Sequence, residues 1–370
     1  MATTGRTAVS GADESIAATV SGADVVHLVC HADGDSLAAA GLLAGALPDA
    51  TAFQISTAKS RDAVADRLNR STVSTVAIGF DGLTADATID ARSNARSAFD
   101  AATEFGDPDP TLGVAGVRSI GSLPAGDLLE AATSAGIERR PGVSVPTADL
   151  SVGLAFSTRV HADFSGDEQS AGAFLADLEL PADLGDAARR RIASAVALDA
   201  TEPPAPDGAA EAVEGALRPF ETPDGPFETA EGYGDVLDVV ARTSPGLATA
   251  MVAGGDVRTE VLDAWRETSA TVHAAIRRAE RSLRSGLTVV TVSDADPWTT
   301  ARLVRDYRSG EDDALVIGAD EVALATIERD ARERLGSAID PSQIGGRHHV
   351  AAAKTSDDPD AIVETLTEGP

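Results

Sequence analysis

The feature that most constrains the fold is a short apolar run that ends in alternating metal-capable side chains. Residues 25–30 read Val-Val-His-Leu-Val-Cys, which is typical of a buried strand, and a helical stretch rich in alanine and leucine begins at Ser36. Between them lie His31, Asp33 and Asp35. Open α/β sheets bind ligands at the loops that leave the carboxyl ends of strands, and carboxylates with imidazole suit Mg²⁺ or Mn²⁺. The spacing predicts either a metal site at a sheet edge or a helix cap by an aspartate.

The alternation of apolar and helical segments continues to residue 90. Strand-like runs at 50–57 and 72–80 flank a helical stretch, and a third short strand ends at Asp90. A β-α-β-α-β order with short turns predicts a parallel sheet that is covered by helices. Asp81 closes the second run, so its carboxylate lies near the first loop if the two strands are neighbours. The alternative is that Asp81 and the glycine after it form an ordinary turn.

The length of 370 residues predicts more than one domain. Proline is concentrated between residues 201 and 226, helical stretches follow at 234–243 and 258–284, and a second α/β alternation begins at residue 287. We expect an α/β protein in which a helical connector joins a parallel-sheet domain to a smaller α/β domain. The predicted parts are residues 1–199, 200–285 and 286–370.

Charge and composition indicate the environment rather than the reaction. The formal net charge is −29 and lysine occurs only as Lys59 and Lys354, which resembles the proteins of extremely halophilic archaea. In molar salt the Debye length is only ~3 Å, so a negative total does not exclude a nucleic-acid partner. The sequence has no apolar stretch of about 18 residues, which predicts no membrane span. Residues 1–10 lack an apolar signal region, and we expect a cytoplasmic protein.

A second group of chemistry-bearing residues lies near the end of the chain. Gly345, Gly346, Arg347, His348 and His349 precede a short alanine-rich strand. Paired glycines allow a backbone to approach a ligand closely, and exposed N–H groups with arginine and histidine suit a phosphate. The alternative is a flexible turn without a ligand.

Two other segments offer charged side chains. The predicted helix over 258–284 ends with Arg277, Arg278, Arg281 and Arg284, which either meet a phosphate backbone or pair with nearby carboxylates. His161, Asp163 and Asp167 offer metal ligands, although a solvated acidic loop explains them equally simply in so acidic a chain.

The segment from His31 to Ser36, followed by a helix, resembles the first motif of the DHH phosphoesterase superfamily, which includes RecJ-like exonucleases. The segment 345–353 resembles the substrate loop of the DHH-associated C-terminal domain, and Asp81 falls where the second family motif has its aspartate. The resemblance implies a parallel-sheet catalytic domain and a smaller α/β domain that closes over a cleft. It also implies hydrolysis by two metal ions held ~3.5–4 Å apart.

The chain departs from this family where the Asp-His-His run should stand. The best counterpart is the segment 89–92, which keeps Asp90 and replaces both histidines. If Arg92 points inward, it adds a positive charge where a cation should sit. Ser157 or Thr158 stands where a further aspartate is expected. We therefore expect a degenerate site that binds one manganese or magnesium ion or none. Its candidate ligands are His31, Asp33, Asp35, Asp81 and Asp90.

The resemblance implies a RecJ-like protein that binds single-stranded DNA or RNA between its domains, in DNA replication or repair, with phosphoesterase activity weak or lost. Gly345, Gly346, Arg347, His348 and His349 would bind the substrate. Replisome proteins are candidate partners, because a replisome subunit that accompanies the replicative helicase has this fold without a nuclease site. The alternative is an active manganese-dependent exonuclease or oligonucleotide phosphodiesterase, in which His161, Asp163 or Asp167 supplies the missing ligands. A small-molecule phosphoesterase is a third possibility.

Overall fold

The computed structural model describes residues 16–20 and 22–368 and has the predicted α/β architecture. The N-terminal sheet has the strand order β2-β1-β3-β4, and each neighbouring pair is parallel. Five helices follow or flank these strands. The strands are β1 (Val25–His31), β2 (Ala52–Ala58), β3 (Ser74–Ile78) and β4 (Ala87–Ile89). The helices are α1 (Gly34–Ala46), α2 (Arg61–Arg70), α3 (Asn94–Ala102), α4 (Pro110–Ser119) and α5 (Asp127–Ser134).

The central strand β1 is buried on both faces. Leu28 and Cys30 join the core that contains α1, whereas Val29 packs with Val64 of α2 on the other face. This two-residue alternation is the period of a strand. Helix α1 is buried on nearly every side because its alanines and glycines let neighbouring helices approach closely. The sheet therefore holds the loop after β1 rigidly at its carboxyl edge.

A largely helical middle section connects the two sheets. It also contains a two-stranded antiparallel ribbon, β5 (Glu138–Arg139) with β6 (Phe220–Glu221). The residues predicted as a proline-rich linker contain one short helix. The helices are α6 (Leu150–Phe156), α7 (Glu168–Asp177), α8 (Asp186–Ala200), α9 (Ala209–Glu214), α10 (Ala230–Thr243), α11 (Pro245–Val252) and α12 (Arg258–Arg278).

The C-terminal sheet has six strands in the order β11-β12-β10-β9-β8-β7. Only its β8–β9 pair is parallel. Its strands are β7 (Arg281–Arg284), β8 (Leu287–Thr291), β9 (Asp313–Ile317), β10 (Glu321–Ala325), β11 (Ile344–Arg347) and β12 (Val350–Lys354). Its helices are α13 (Pro297–Arg308), α14 (Ala331–Leu335) and α15 (Pro359–Glu368), with a 3₁₀ turn at Pro341–Gln343.

Two local predictions are wrong. The helix predicted over 258–284 ends at Arg278, and the following residues form strand β7, so the four arginines do not share one helix face. Ser285 and Gly286 have positive φ angles and make the two-residue turn of a tight hairpin, which lets β7 pair with β8. The segment predicted as a glycine-rich loop contains strand β11, and only His348 and His349 lie in the turn before β12.

The C-terminal sheet packs against the carboxyl edge of the N-terminal sheet. A Cβ added to Gly345 would lie 1.9 Å from the carbonyl oxygen of Lys59, so only glycine allows this approach. Lys59 Nζ lies 2.9 Å from Glu321 Oε2, and Gln343 Nε2 donates to Asp62 at 2.9 Å. These contacts hold the hairpin of β11 and β12 over the loop that follows β1.

Within the described residues, no helix is long and apolar enough to cross a membrane. Residues 1–10, on which the prediction of no export signal rests, lie outside the described residues.

Candidate functional site

The carboxyl end of β1 places His31 and Asp33 in direct contact. His31 Nδ1 lies 2.6 Å from Asp33 Oδ2, and both side chains are almost fully buried. Asp33 Oδ1 accepts a hydrogen bond from the Ser36 amide at 2.7 Å and caps α1. Burial alone would raise the pKa of Asp33, but Arg347, His31 and the Ser36 amide together hold it well below its usual range. Asp33 is therefore an ionised helix cap that is also ion-paired.

An aspartate that the sequence analysis missed completes this pocket. Asp238 of α10 accepts hydrogen bonds from the Gly34 amide at 3.0 Å and from Arg347 Nη2 at 2.9 Å. Arg347 Nε lies 3.8 Å from Asp33 Oδ2. One guanidinium thus bridges two buried carboxylates: Asp33 in the loop after β1 and Asp238 on α10. Their negative charges outweigh burial and raise the pKa of Arg347, so this side chain remains charged.

The ring of Trp298 forms one wall of the pocket. The guanidinium carbons of Arg347 and Arg242 lie 5.1 and 4.7 Å from its centroid, within the range of cation–π contacts. Arg242 also pairs with Glu321 and lies 3.5 Å from Asp296. The His31 ring is 5.7 Å from the Trp298 ring and 5.2 Å from that of Phe80. Trp298 is fully buried in the core and also contacts the two arginines.

The five predicted ligands do not converge on one point. Asp35 faces α3, where it accepts hydrogen bonds from Ser93 Oγ at 2.8 Å and from the Asn94 and Ala95 amides at 2.6 and 3.1 Å. Burial and the charge of Asp33 raise the pKa of Asp35 to about 7, against the pull of these donors.

The other two aspartates lie at the rim. Asp81 is 76% exposed and bonds Arg61 at 3.0 Å, and Asp90 Oδ1 is 4.0 Å from Arg332 Nη1. Arg92 would bring positive charge into the site only if it pointed inward, but it is exposed, and the buried positive charge beside Asp238 is that of Arg347. Over the residues that the structure describes, no group of three His, Cys, Asp or Glu side chains is spaced to hold a metal ion. The donor set therefore does not fit a pair of cations.

The alternative ligands lie in other surroundings. His161 Nδ1 lies 2.9 Å from His273 Nδ1, and His273 Nε2 lies 3.1 Å from the carbonyl oxygen of Ser157. Burial lowers the pKa of His161 to about 2 and that of His273 to about 3, so both rings are neutral. Asp167 caps α7 at the surface. Their hydrogen bonds are made outside the pocket of Asp33 and Asp238.

The predicted substrate segment is divided between interior and surface. Gly345 and Gly346 are buried in β11, and Arg347 points inward. His348 is 57% exposed, with Nδ1 3.1 Å from Asp330 Oδ2, and His349 is exposed as well. As a phosphate site, the segment remains a prediction, and only its histidines face solvent.

The structure confirms the predicted α/β fold, in which a parallel-sheet part and a smaller α/β part are joined by helices, and solved structures are similar to it. CDC45 from Entamoeba histolytica superposes with a TM-score of 0.54 at 8% identity, over 96% of this chain and 97% of that chain. RecJ from Thermus thermophilus in complex with Mn²⁺ gives a TM-score of 0.49 at 12% identity, over 98% of this chain. The chain spans about half of that RecJ, namely 56% of its length.

The sequence comparison is more specific. The chain is 43% identical over 334 residues to the uncharacterized protein rrnAC1427 from Haloarcula marismortui, covering 90% of this chain and 88% of the relative. A family model described as the C-terminal domain of uncharacterized protein rrnAC1427 matches residues 279–368. The chain belongs to the rrnAC1427 family.

Proposed function

We propose that this protein binds single-stranded nucleic acid and has little or no phosphoesterase activity. The observation that carries the proposal is the Arg347 guanidinium, which is ion-paired with Asp33 and Asp238 where the family resemblance expects a metal ion. A fixed cation in the pocket disfavours a catalytic metal pair, which supports a role in binding rather than hydrolysis. The role that the family resemblance implies is in DNA replication or repair, with replisome proteins as candidate partners.

Electrostatics argue against a metal pair beside Arg347. A divalent ion ~4 Å from a guanidinium is opposed by about 8 kcal/mol at an effective dielectric constant of ~20. The attraction of Asp33 and Asp238 for such an ion is partly cancelled by the arginine that already binds them. Asp35 contributes little, because its carboxylate is held by the first turn of α3 and has a raised pKa. Two cations held at catalytic spacing would need further anionic ligands.

The nucleic acid would bind at the rim of the pocket, where the C-terminal sheet packs against the carboxyl edge of the N-terminal sheet. Exposed or half-exposed cationic groups follow this rim, and the exposed imidazole of His348 lies beside them. Phosphate contacts with arginine and lysine are the main source of affinity for single strands. A buried pocket that is closed by Gly345 and Arg347 would not admit a phosphate, so the contacts must be made outside it. The rim cations are Lys59, Arg61, Arg92 and Arg332.

The decisive experiment combines binding and turnover. A labelled oligothymidylate is titrated with the full chain at molar KCl, and its integrity is followed with added Mn²⁺. We expect saturable binding, weakened by Arg92→Ser with Arg332→Ser, and no manganese-dependent release of mononucleotides. Arg190→Ser, on the exposed face of α8, is the matched control.

Two results would contradict different parts of the proposal. Release of mononucleotides with Mn²⁺, abolished by Asp33→Ala, would show a working hydrolase and overturn the inactive site. No binding to single-stranded DNA or RNA at that salt concentration would overturn the nucleic-acid role.

A further inference from the structure

Five arginines cluster where α12 passes into the edge strand β7. We call them the α12–β7 arginine patch: Arg277, Arg278, Arg281, Arg284 and Arg308. The first four side chains are exposed and that of Arg308 is half-buried. Arg281 Nη1 donates to the carbonyl oxygen of Arg308 at 3.0 Å, which joins the strand to the end of α13.

The patch keeps its positive charge although the chain has a net charge of −29. In the part of the chain that the structure describes, no carboxylate lies within 4.0 Å of any of the five guanidinium groups. Arg277 and Arg281 donate instead to backbone carbonyls. Burial and then Arg281 lower the pKa of Arg308, and Asp163 opposes this effect from a greater distance. The carboxylate pairing that the sequence left open for these arginines is thus absent, and the patch can accept anions.

Strand β7 also presents unpaired backbone groups. It is the outer strand of the six-stranded sheet, and among residues 16–20 and 22–368 its one partner strand is β8. In a two-residue hairpin the pair next to the turn, here Arg284 and Leu287, exchanges hydrogen bonds, and alternate residues face outward. The N–H and C=O groups of Arg281 and Leu283 therefore point away from the sheet. Such an edge is a template for a further strand.

The side chains of this edge favour a polypeptide over a nucleic acid. Leu283 is 67% exposed and shares a face of the strand with Arg281, whereas Arg284 lies on the opposite face. The patch itself contains no aromatic ring on which a base could stack. A second copy of β7 is disfavoured by charge, because pairing the two edges would bring two arginine patches close together.

We propose that β7 is a docking strand for an extended acidic segment of another protein. That segment adds a strand to the free edge, with carboxylates on the arginine patch and an apolar side chain on Leu283. Backbone hydrogen bonds supply register and the arginines select acidic partners. This proposal does not depend on nucleic-acid binding.

The probe is a labelled peptide that repeats Glu-Ser-Val-Glu, a pattern that places Glu beside Arg281 and Arg284 and Val beside Leu283. It is titrated into the full chain and followed by fluorescence anisotropy. We expect Arg281→Ser with Arg284→Ser to weaken binding by about tenfold or more, as loss of two charge-assisted contacts implies. Leu283→Pro, which removes an outward N–H without breaking a bond to β8, should also weaken it. Arg190→Ser with Arg191→Ser, exposed on α8, should leave binding unchanged. Hydrogen exchange should show new protection of the Arg281 and Leu283 amides when the peptide binds.

Three outcomes would overturn the proposal. One is equal affinity for the acidic peptide and for the same peptide with Lys in place of every Glu. Another is loss of oligothymidylate binding, rather than peptide binding, in the double arginine variant. The third is no peptide binding, with self-association of that variant, which would mean that the arginines only protect the edge from aggregation.

Discussion

Replacement of Arg347 by methionine removes the charge of the guanidinium while keeping most of its apolar length. In the structure this side chain is 18% exposed and contacts two carboxylates that are almost fully buried, Asp33 and Asp238. Removing one partner of a buried ion pair typically costs about 3–5 kcal/mol. We expect the lower end, about 3 kcal/mol, because Asp33 keeps the His31 and Ser36 contacts and Asp238 keeps the Gly34 amide.

The loss should depend on pH in a defined direction. Arg347 holds the pKa values of Asp33 and Asp238 down, so in the wild-type protein these carboxylates stabilise the fold above their unfolded pKa of about 3.9. That contribution disappears as the pH falls through the folded-state values. In the Arg347→Met variant both pKa values rise, and the difference from wild type should shrink as the pH is lowered from 7 to 4. Urea unfolding at fixed KCl measures both effects.

Manganese should rescue the variant and not the wild type. With Arg347 gone, the pocket carries two uncompensated carboxylates beside the His31 ring. An ion that binds only the folded state stabilises it by about 2.7 kcal/mol at 100 times its dissociation constant. We expect Mn²⁺ to raise the free energy of unfolding of Arg347→Met, and a second substitution, Asp238→Asn, to abolish this rise.

A matched surface change separates pocket effects from general loss of charge. Arg332 is 41% exposed and 4.0 Å from Asp90, so Arg332→Met should change stability by less than about 1 kcal/mol. The reasoning fails if Arg347→Met is as stable as wild type at pH 7. It also fails if Mn²⁺ stabilises the wild-type protein as much as the variant.

Three further predictions concern buried groups. The folded-state pKa of Asp35, about 7, exceeds its unfolded value of about 3.9, so the free energy of unfolding falls as the pH rises between these values. The stability of Asp35→Asn relative to wild type should therefore increase from pH 5 to 8. A constant difference in urea unfolding would contradict this. His161 and His273 stay neutral in the folded protein but titrate near pH 6.5 in the unfolded chain, so the free energy of unfolding falls as the pH drops below 6.5. His161→Leu should reduce the slope of unfolding free energy against pH by about 1.4 kcal/mol per pH unit, as measured by urea unfolding. Gly345→Ala should lower the melting temperature, because its Cβ would lie 1.9 Å from the carbonyl oxygen of Lys59. Gly172→Ala has free space on α7 and should raise the free energy of unfolding by up to about 1 kcal/mol. Equal effects of the two substitutions would refute the close packing of the hairpin.

The sequence was sufficient for the architecture because the apolar periods are local signals. Alternating strands and helices up to residue 90 gave the parallel sheet, and the change of pattern after 287 gave the smaller sheet. Of the two alternatives for Asp33, metal ligand and helix cap, the structure shows the cap, and the same carboxylate also pairs with Arg347. Arg281 and Arg284 were predicted as part of a helix, so the turn at Ser285 and Gly286 was not recognised. Strand β7 was missed because its pairing with β8 depends on that turn.

The site could be predicted only in part, because its missing members come from tertiary packing. Asp238 lies inside a helix, far along the chain from Gly34, and no motif marks it. Its one signal is an aspartate on the face of a helix that is buried almost throughout. Asp35 was expected to face a metal, but α3, which the sequence analysis did not predict, offers amides that hold it elsewhere. Spacing along β1 determines where each side chain leaves the backbone, but it does not determine which partner that side chain contacts.

The position of Arg347 links the charge of the pocket to the packing of the C-terminal sheet against the N-terminal sheet. If the hairpin of β11 and β12 moved away, Asp33 and Asp238 would lose the guanidinium and remain as two unpaired charges at the end of β1. A phosphate that entered the opened pocket would meet those carboxylates at close range and be repelled. Opening is therefore favourable only when a cation or protons enter with the ligand. A polyanion without a metal ion should bind the closed form, along the rim, and slow the opening of the hairpin rather than promote it.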